Sequence, residues 1–353
     1  MLNQKYSPIL VVKNHFPQKH LNFVGFWLLS CCLMVGFMIL LGGATRLTES
    51  GLSIVDWNLF TGLLPPTNQN DWNALFSAYR TSPEFLKINF WMSVDDFKSI
   101  YWLEYLHRLW GRLIGLVFLL PFLYFLIRRK IGINLSWKLS GIFLLICLQG
   151  LLGWYMVKSG LIEEPYVSQY RLAAHLGLAF IIFGFLFWYS LKCLDHKRHR
   201  VKERWLHVSA FAIVSCIFIT IIWGAFVAGL DAGLAYNTFP FMDGHIVPKD
   251  LLNLSPWWIN FFENTAAVQF THRLTAVGTV TFTILFFLFS LRTSIDAATS
   301  RSIKLLVILA VGQMALGVGT LLFEVAMPLA LLHQFGALAL FTSSIWVLYH
   351  LRY

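Results

Sequence analysis

Eight long apolar runs, at roughly 21–44, 101–127, 137–158, 170–192, 206–229, 267–291, 303–324 and 328–351, dominate what this chain can fold into. Each is long enough to cross a hydrocarbon core, which takes about 20 apolar residues in a helix. In lipid only helices and closed barrels satisfy their own backbone groups. A barrel would show alternating segments of about ten residues, and none is present. With 58% apolar and 12% charged residues over 353 positions and a mean hydropathy of +0.66, a soluble globule is excluded. The expected fold class is all-α: a polytopic membrane protein with eight transmembrane helices.

Charge sets the orientation. Lys and Arg gather on one side: Arg128, Arg129, Lys130 and Lys138; Lys192, Lys197, Arg198, Arg200, Lys202 and Arg204; Arg292, Arg301 and Lys304; and Lys5, Lys13 and Lys19 of the N-terminal tail. The opposite loops are mostly acidic, with Glu49, Asp56, Asp71, Glu84, Asp95, Asp96, Glu163, Glu164, Asp231, Asp243, Asp250, Glu263 and Glu324. Both termini are therefore expected on the cytoplasmic or matrix side. This bias explains the net charge of +10 without a nucleic-acid partner. The run from Lys192 to Arg204 reads as a topogenic loop, with a partner-docking surface as the alternative. Residues 1–20 carry neither the apolar centre of a cleavable signal nor the bias of a mitochondrial presequence. A bacterial inner membrane is expected, with the mitochondrial inner membrane as the alternative. The five cysteines, Cys31, Cys32, Cys147, Cys193 and Cys216, all fall in or beside apolar runs and read as small core residues.

A weak internal repeat divides the chain into residues 1–205 and 206–353. Glu49-Ser50-Gly51-Leu52 after the first run matches Asp231-Ala232-Gly233-Leu234 after the fifth, and a Gln-x-x-Leu-Gly pattern recurs at Gln149–Gly153 and Gln313–Gly317. Corresponding runs lie four crossings apart and so point the same way. The halves should be parallel repeats about an axis near the membrane normal, two pseudo-symmetric four-helix bundles. Their outer loops differ. The first, about 45–100, contains Trp57, Pro65-Pro66, Trp72 and Trp91. Asp71 and Ser82-Pro83 look like helix starts, and Ser93 with Asp96 resembles a capping box leading into the second run. The second, about 230–266, is rich in Pro and aromatics, including Tyr236, Phe239-Pro240-Phe241 and Pro256-Trp257-Trp258. Those aromatics serve either as interfacial anchors or as a cover over a cofactor edge.

Four histidines stand just inside the outer ends of four runs, in two matched pairs: His107 with His175, and His272 with His333. Histidine is costly in lipid and rare there without a partner or a task. Two histidines from facing helices can supply both axial ligands of a haem. The alternative for any single one is a buried imidazole bonded to backbone or serine; four in register across a repeat favour ligands. Zinc fits poorly, because no third ligand recurs in both halves. Arg108 and Arg273 directly follow the first histidine of each half, and Arg46 ends the first run. Each is a candidate fork for a haem propionate; Arg46 could equally snorkel to the interface. Gly111, Gly115, Gly177 and Gly336 would admit a flat macrocycle or simply a close helix.

One position separates the halves chemically. Glu104 and Gln269 each lie three residues before a histidine and share its helix face. Only the glutamate can carry charge or a proton. A carboxyl beside a haem in low dielectric would suit acid–base work or stabilise a nearby cation; the alternative is a glutamate solvated at the helix end. The first half is the expected seat of chemistry, and the second a place where a haem changes oxidation state.

These residues carry a resemblance. The stretch Gly42-Gly43-Ala44-Thr45-Arg46-Leu47-Thr48-x-Ser50-Gly51-Leu52-Ser53 with Asp56-Trp57 resembles the heme A synthase family. So do Glu104-x-x-His107-Arg108-x-x-Gly111-Arg112, Ala228-Gly229-Leu230-Asp231-Ala232-Gly233 with Tyr236-Asn237-Thr238-Phe239-Pro240, and His272-Arg273. The resemblance covers nearly the whole chain. It implies an oxidoreductase that turns the C8 methyl of heme O into a formyl group by two hydroxylations and loss of water, making heme A for terminal oxidases. It implies a haem b cofactor, with its iron, on His272 and His333 beside Arg273. The substrate haem would lie near His107 and His175, with Arg46 and Arg108 around it, and Glu104 matches the family's essential carboxylate. Expected partners are heme O, a heme O synthase, oxidase-assembly factors, a membrane electron acceptor and a second copy of the chain. Some members carry a cysteine pair in the first outer loop; this chain has none there and resembles the cysteine-free branch. The alternatives are a di-haem b electron-transfer subunit and a haem transporter or chaperone.

Overall fold

The computed structural model describes residues 18–56, 64–162, 165–195 and 203–352. Lys5, Lys13, Trp57, Glu163, Glu164, Lys197, Arg198, Arg200 and Lys202, read above for charge or as interfacial aromatics, lie outside the described residues. Every expected span is a helix: α1 (Gln18–Leu47), α4 (Val94–Ile127), α5 (Ile133–Gly160), α6 (Gln169–Leu194), α7 (Arg204–Gly229), α9 (Thr265–Ser290), α10 (Ala297–Leu322) and α11 (Met327–His350). All eight are long and apolar enough to cross a membrane. Between them lie α2 (Gln69–Tyr79), α3 (Pro83–Lys87) and the single turn α8 (Asn260–Glu263).

Hydropathy located the spans; polar caps set their ends. Helix α4 begins before its apolar run because Ser93 and Asp96 form a reciprocal capping box that satisfies the first free N–H groups. Helix α10 likewise starts early: Asp296 Oδ1 accepts from the backbone of Ala298 and Thr299. Asp71 is not the start of α2, as expected from sequence. Asn68 is the cap, taking the Asp71 N–H at 2.9 Å, and Asp71 returns from the third position to accept from Thr67. Ser82 caps α3 with Pro83 in its first turn, as expected.

Helices α1, α4, α5 and α6 pack around one another, as do α7, α9, α10 and α11. The two groups meet chiefly along α6 and α7, with α11 also against α1 and α6. The main core runs through this junction and includes Leu28, Phe118, Phe180, Leu186, Ile213 and Val347. Trp27 Nε1 donates to Val117 O at 2.8 Å and Trp110 Nε1 to Met34 O at 2.9 Å, tying α1 to α4. Gln334 Nε2 on α11 donates to Ile39 O on α1 at 2.7 Å, and Gly43 leaves room for that amide, which a Cβ would overlap. The repeat persists in backbone shape: Glu49 and Asp231, at matched positions after α1 and α7, both adopt left-handed φ values, 52° and 49°. All five cysteines lie in membrane helices as free thiols; Cys31, Cys32 and Cys193 are buried as expected of core residues, whereas Cys216 is half-buried and Cys147 is exposed on α5. A second, smaller core forms over the first group. Trp72, Tyr79, Phe85, Phe97, Tyr101 and Tyr105 join α2 and α3 to the projecting start of α4.

Candidate functional site

The four histidines sit on α4, α6, α9 and α11, and each ring lies against a glycine of another helix. A Cβ added at Gly42 would stand 3.2 Å from His107 Cε1; at Gly153, 3.2 Å from His175 Cε1; at Gly224, 3.2 Å from His272 Cε1; and at Gly317, 2.8 Å from His333 Cε1. The same contact is thus built four times, and both glycine pairs fall at matched places in the repeat. Pairing follows the halves: His107 and His175 are near enough to influence each other electrostatically, as are His272 and His333.

The rings are oriented from behind. His272 Nδ1 lies 3.2 Å from Thr220 O; a carbonyl can only accept, so Nδ1 carries the proton and Nε2 keeps its lone pair. Thr45 Oγ1 lies 3.4 Å from His107 Nδ1. The recurring glutamines, noted in sequence only as a pattern, have a place here. Gln149 Nε2 donates to His175 O at 3.0 Å and Gln313 Nε2 to His333 O at 2.9 Å, with His333 Nδ1 3.1 Å from the same nitrogen. The Thr220, Thr45 and Gln313 contacts orient three of the rings, whereas His175 Nδ1 is buried without a partner and Gln149 holds only that residue's backbone. Among the described residues, no group of three or more His, Cys, Asp or Glu side chains gathers as a metal site. Two imidazoles in each half, with no third such ligand gathered beside them among the described residues, are a donor set that suits haem iron better than tetrahedral zinc.

The polar clamp beside each first histidine is also duplicated. Glu104 is only 3% exposed. Its Oε2 accepts from Ser53 Oγ at 2.7 Å and Ile54 N at 2.9 Å; its Oε1 accepts from Arg108 Nε at 2.9 Å and Nη2 at 2.6 Å. Arg108 continues to Ile54 O at 2.8 Å and Asp56 O at 3.1 Å. In the other half Arg273 reaches Tyr236 O and Thr238 O, both at 2.8 Å. Ile54 and Asp56 stand at the same spacing from Glu49 as Tyr236 and Thr238 from Asp231. Gln269, 2% exposed, donates to Tyr236 O at 3.1 Å and accepts from Arg273 Nη2 at 3.3 Å. Arg273 Nε is buried without a partner, whereas Arg108 Nε has the carboxylate.

These bonds revise two readings of the side chains. Glu104 is not solvated at a helix end; it is the buried half of an ion pair. Arg108 and Arg273, expected at propionates, also bind loop carbonyls: Arg108 divides its bonds between the Glu104 carboxylate and the carbonyls of Ile54 and Asp56, and Arg273 reaches those of Tyr236 and Thr238. Arg46 donates to Ala228 O and to Asp231 Oδ1, each at 2.9 Å, bridging the two halves at their outer ends.

The residues matching a family model described as cytochrome oxidase assembly protein run from 25 to 345. Over 332 residues, 93% of either chain, this one is 48% identical to the heme A synthase of Nitrosospira multiformis. The chain belongs to the heme A synthase family. Another member, from Nitrosomonas eutropha, is 45% identical over 98% of both chains. The human protein, heme A synthase COX15, is 46% identical over 93% of this chain and 82% of its own. For a heme A synthase family member, a pair of imidazoles in each half is a donor set of the right chemistry.

Proposed function

We propose that this chain is the oxidoreductase that converts the C8 methyl of heme O to the formyl group of heme A. The substrate haem lies between His107 and His175, and a resident haem b between His272 and His333. The observation that carries this division is the Glu104–Arg108 ion pair beside His107, set against the neutral Gln269–Arg273 pair beside His272. The two halves share the glycine contacts and the arginine clamps beside their histidines, so the half holding the ionised pair is the one equipped for reaction.

The residues divide the work. Gly42, Gly153, Gly224 and Gly317 let the imidazoles lie close against neighbouring helices; Thr220 and Gln313 orient the His272 and His333 rings, and Gln149 holds the His175 backbone. A haem bound between His272 and His333 supplies one-electron redox chemistry. Arg108 and Arg273 fasten the outer loops over the two sites and so limit water. Glu104 has its lone pairs taken by Ser53, Ile54 and Arg108. Its part is electrostatic: a fixed charge that offsets positive charge developing at the substrate's methyl carbon. Arg273 Nε and further donors of Arg46 remain candidates for propionate carboxylates.

The membrane is a bacterial inner membrane, with both termini cytoplasmic and both sites near the outer face. A heme O synthase supplies the substrate and a membrane electron acceptor receives the electrons. Extraction of haems from the purified protein, before and after supply of heme O, tests the reading. Haem b with newly formed heme A is expected. Two haems b without heme A would make the chain an electron-transfer subunit, and bound heme O without turnover a carrier.

A further inference from the structure

A second buried carboxyl stands over the first half, outside the pair already described. Glu84, on α3, is 4% exposed. The Tyr79 hydroxyl hydrogen-bonds to it, and Asn89 Nδ2 in turn donates to Tyr79 Oη at 2.8 Å. Its other oxygen, Oε2, is buried and meets no donor of the protein. Tyr79 is fully buried and stacks on Phe97 of α4, ring centroids 5.0 Å apart. Phe97 leads along the same helix to Tyr101, Tyr105 and Glu104.

The contrast with Glu104 gives Glu84 its meaning. Glu104 accepts four hydrogen bonds and has no oxygen to spare. Glu84 has one phenolic donor and one open oxygen. The titratable groups bearing on it are Tyr79 from α2, Glu104 from α4 and Glu49 from the turn after α1. Burial is the main cause that pushes Glu84 up to about 7; the Tyr79 hydrogen bond opposes it, and the like-signed carboxylates of Glu104 and Glu49 add smaller upward pushes. The outer loop of the second half has no equivalent: Asp243, Asp250 and Glu263 there are all exposed.

We infer that Glu84, with Tyr79 and Asn89, is a proton-holding site that takes up protons released in the substrate half and passes them to the outer aqueous side. This deepens the proposed function and rests on it for the source of the protons: a methyl and a water becoming a formyl group must release protons. The step assigned to Glu84 is proton transfer alone. A released proton arrives on water as hydronium; one of its O–H bonds breaks, leaving neutral water, an O–H bond forms at Oε2, the carboxylate becomes a neutral acid, and no electron moves. Glu84 is a proton carrier at a distance, not a group that touches substrate.

The test uses the full-length protein in detergent or membranes, as wild type and as Glu84→Gln, which keeps shape and cannot titrate. The first readout is infrared spectroscopy across a pH series, following the carbonyl-stretch band of protonated carboxyl groups. The wild type should lose a band as pH rises through about 7, and Glu84→Gln should lack that component. This readout needs no turnover, so it stands even if the chain makes no heme A. The second readout is the pH profile of heme A formation. The wild-type profile should break near the same pH; Glu84→Gln should flatten it and lower the rate by up to ~10²-fold. Tyr79→Phe should lower the rate in the same direction and keep the band. A titrating band that survives in Glu84→Gln overturns the assignment. So does a band that disappears while the pH profile of activity stays as in the wild type, which would leave Glu84 a structural acid.

Discussion

Glu104 and Gln269 have nearly the same shape and occupy the same place, yet the exchange alters their neighbours. Arg108 Nε meets a carboxylate oxygen, while Arg273 Nε is left unpaired in a buried setting. Single residues decide the haem chemistry as well. His272→Ala or His333→Ala removes one of the two ligands proposed for the resident haem, and either variant should lose the low-spin, bis-histidine haem b signal in optical and EPR spectra. Full retention of that signal in both would remove the second half as the cofactor site. Glu84 has a consequence for stability too. Its folded-state value, raised from 4.5 to about 7, means the folded state holds the proton more tightly than the unfolded chain. The stabilising contribution is therefore complete below about pH 4.5 and lost as pH rises through about 7. The full loss is on the order of 3–4 kcal/mol. Thermal unfolding followed across that range should show it, and Glu84→Gln should remove that dependence.

Elements are held in place by a few polar contacts at their ends and by glycines along their faces. Ser93→Ala deletes the capping box of α4 and should cost about 1 kcal/mol, read as a lower unfolding temperature with the haem spectrum little changed. Gly317→Ala acts differently, because its methyl would stand 2.8 Å from His333 Cε1. The ring must turn or shift, so the low-spin haem spectrum should change more than overall stability does. The spans themselves were legible in sequence, since lipid forces a long apolar run into a helix. The capping box at Ser93, the start of α3 at Ser82 and the matched turns at Glu49 and Asp231 were legible for local reasons. The clamps at Arg108 and Arg273 were not, because their acceptors are carbonyls of loops that fold back over many residues. The glutamines at 149 and 313 could be seen to recur, but only packing shows that they hold histidine backbones. Glu84 was hidden among the acidic residues of an outer loop; nothing in its neighbours along the chain announces burial.

At the scale of the molecule, two similar helix groups meet along α6 and α7, and Arg46 links their outer ends through Ala228 O and Asp231. The proposed orientation rests on the basic loops on one side and acidic loops on the other. Reporter fusions at Arg129 and Arg292 should mark the cytoplasmic side and one at Asp71 the far side. The opposite pattern would move every histidine to the other face. The central claim is that one half reacts and the other stores a haem, and the exchange of Glu104 and Gln269 tests it most directly. In a host that makes heme O but lacks its own heme A synthase, the haems extracted from three forms are compared: wild type, Glu104→Gln and Gln269→Glu. The wild type should yield heme A. Glu104→Gln should keep its haem b and accumulate heme O or a hydroxylated intermediate, with heme A reduced by roughly 10²-fold or more. Gln269→Glu should retain much of the heme A. Near-normal heme A from Glu104→Gln, or a greater loss from Gln269→Glu, would contradict the account.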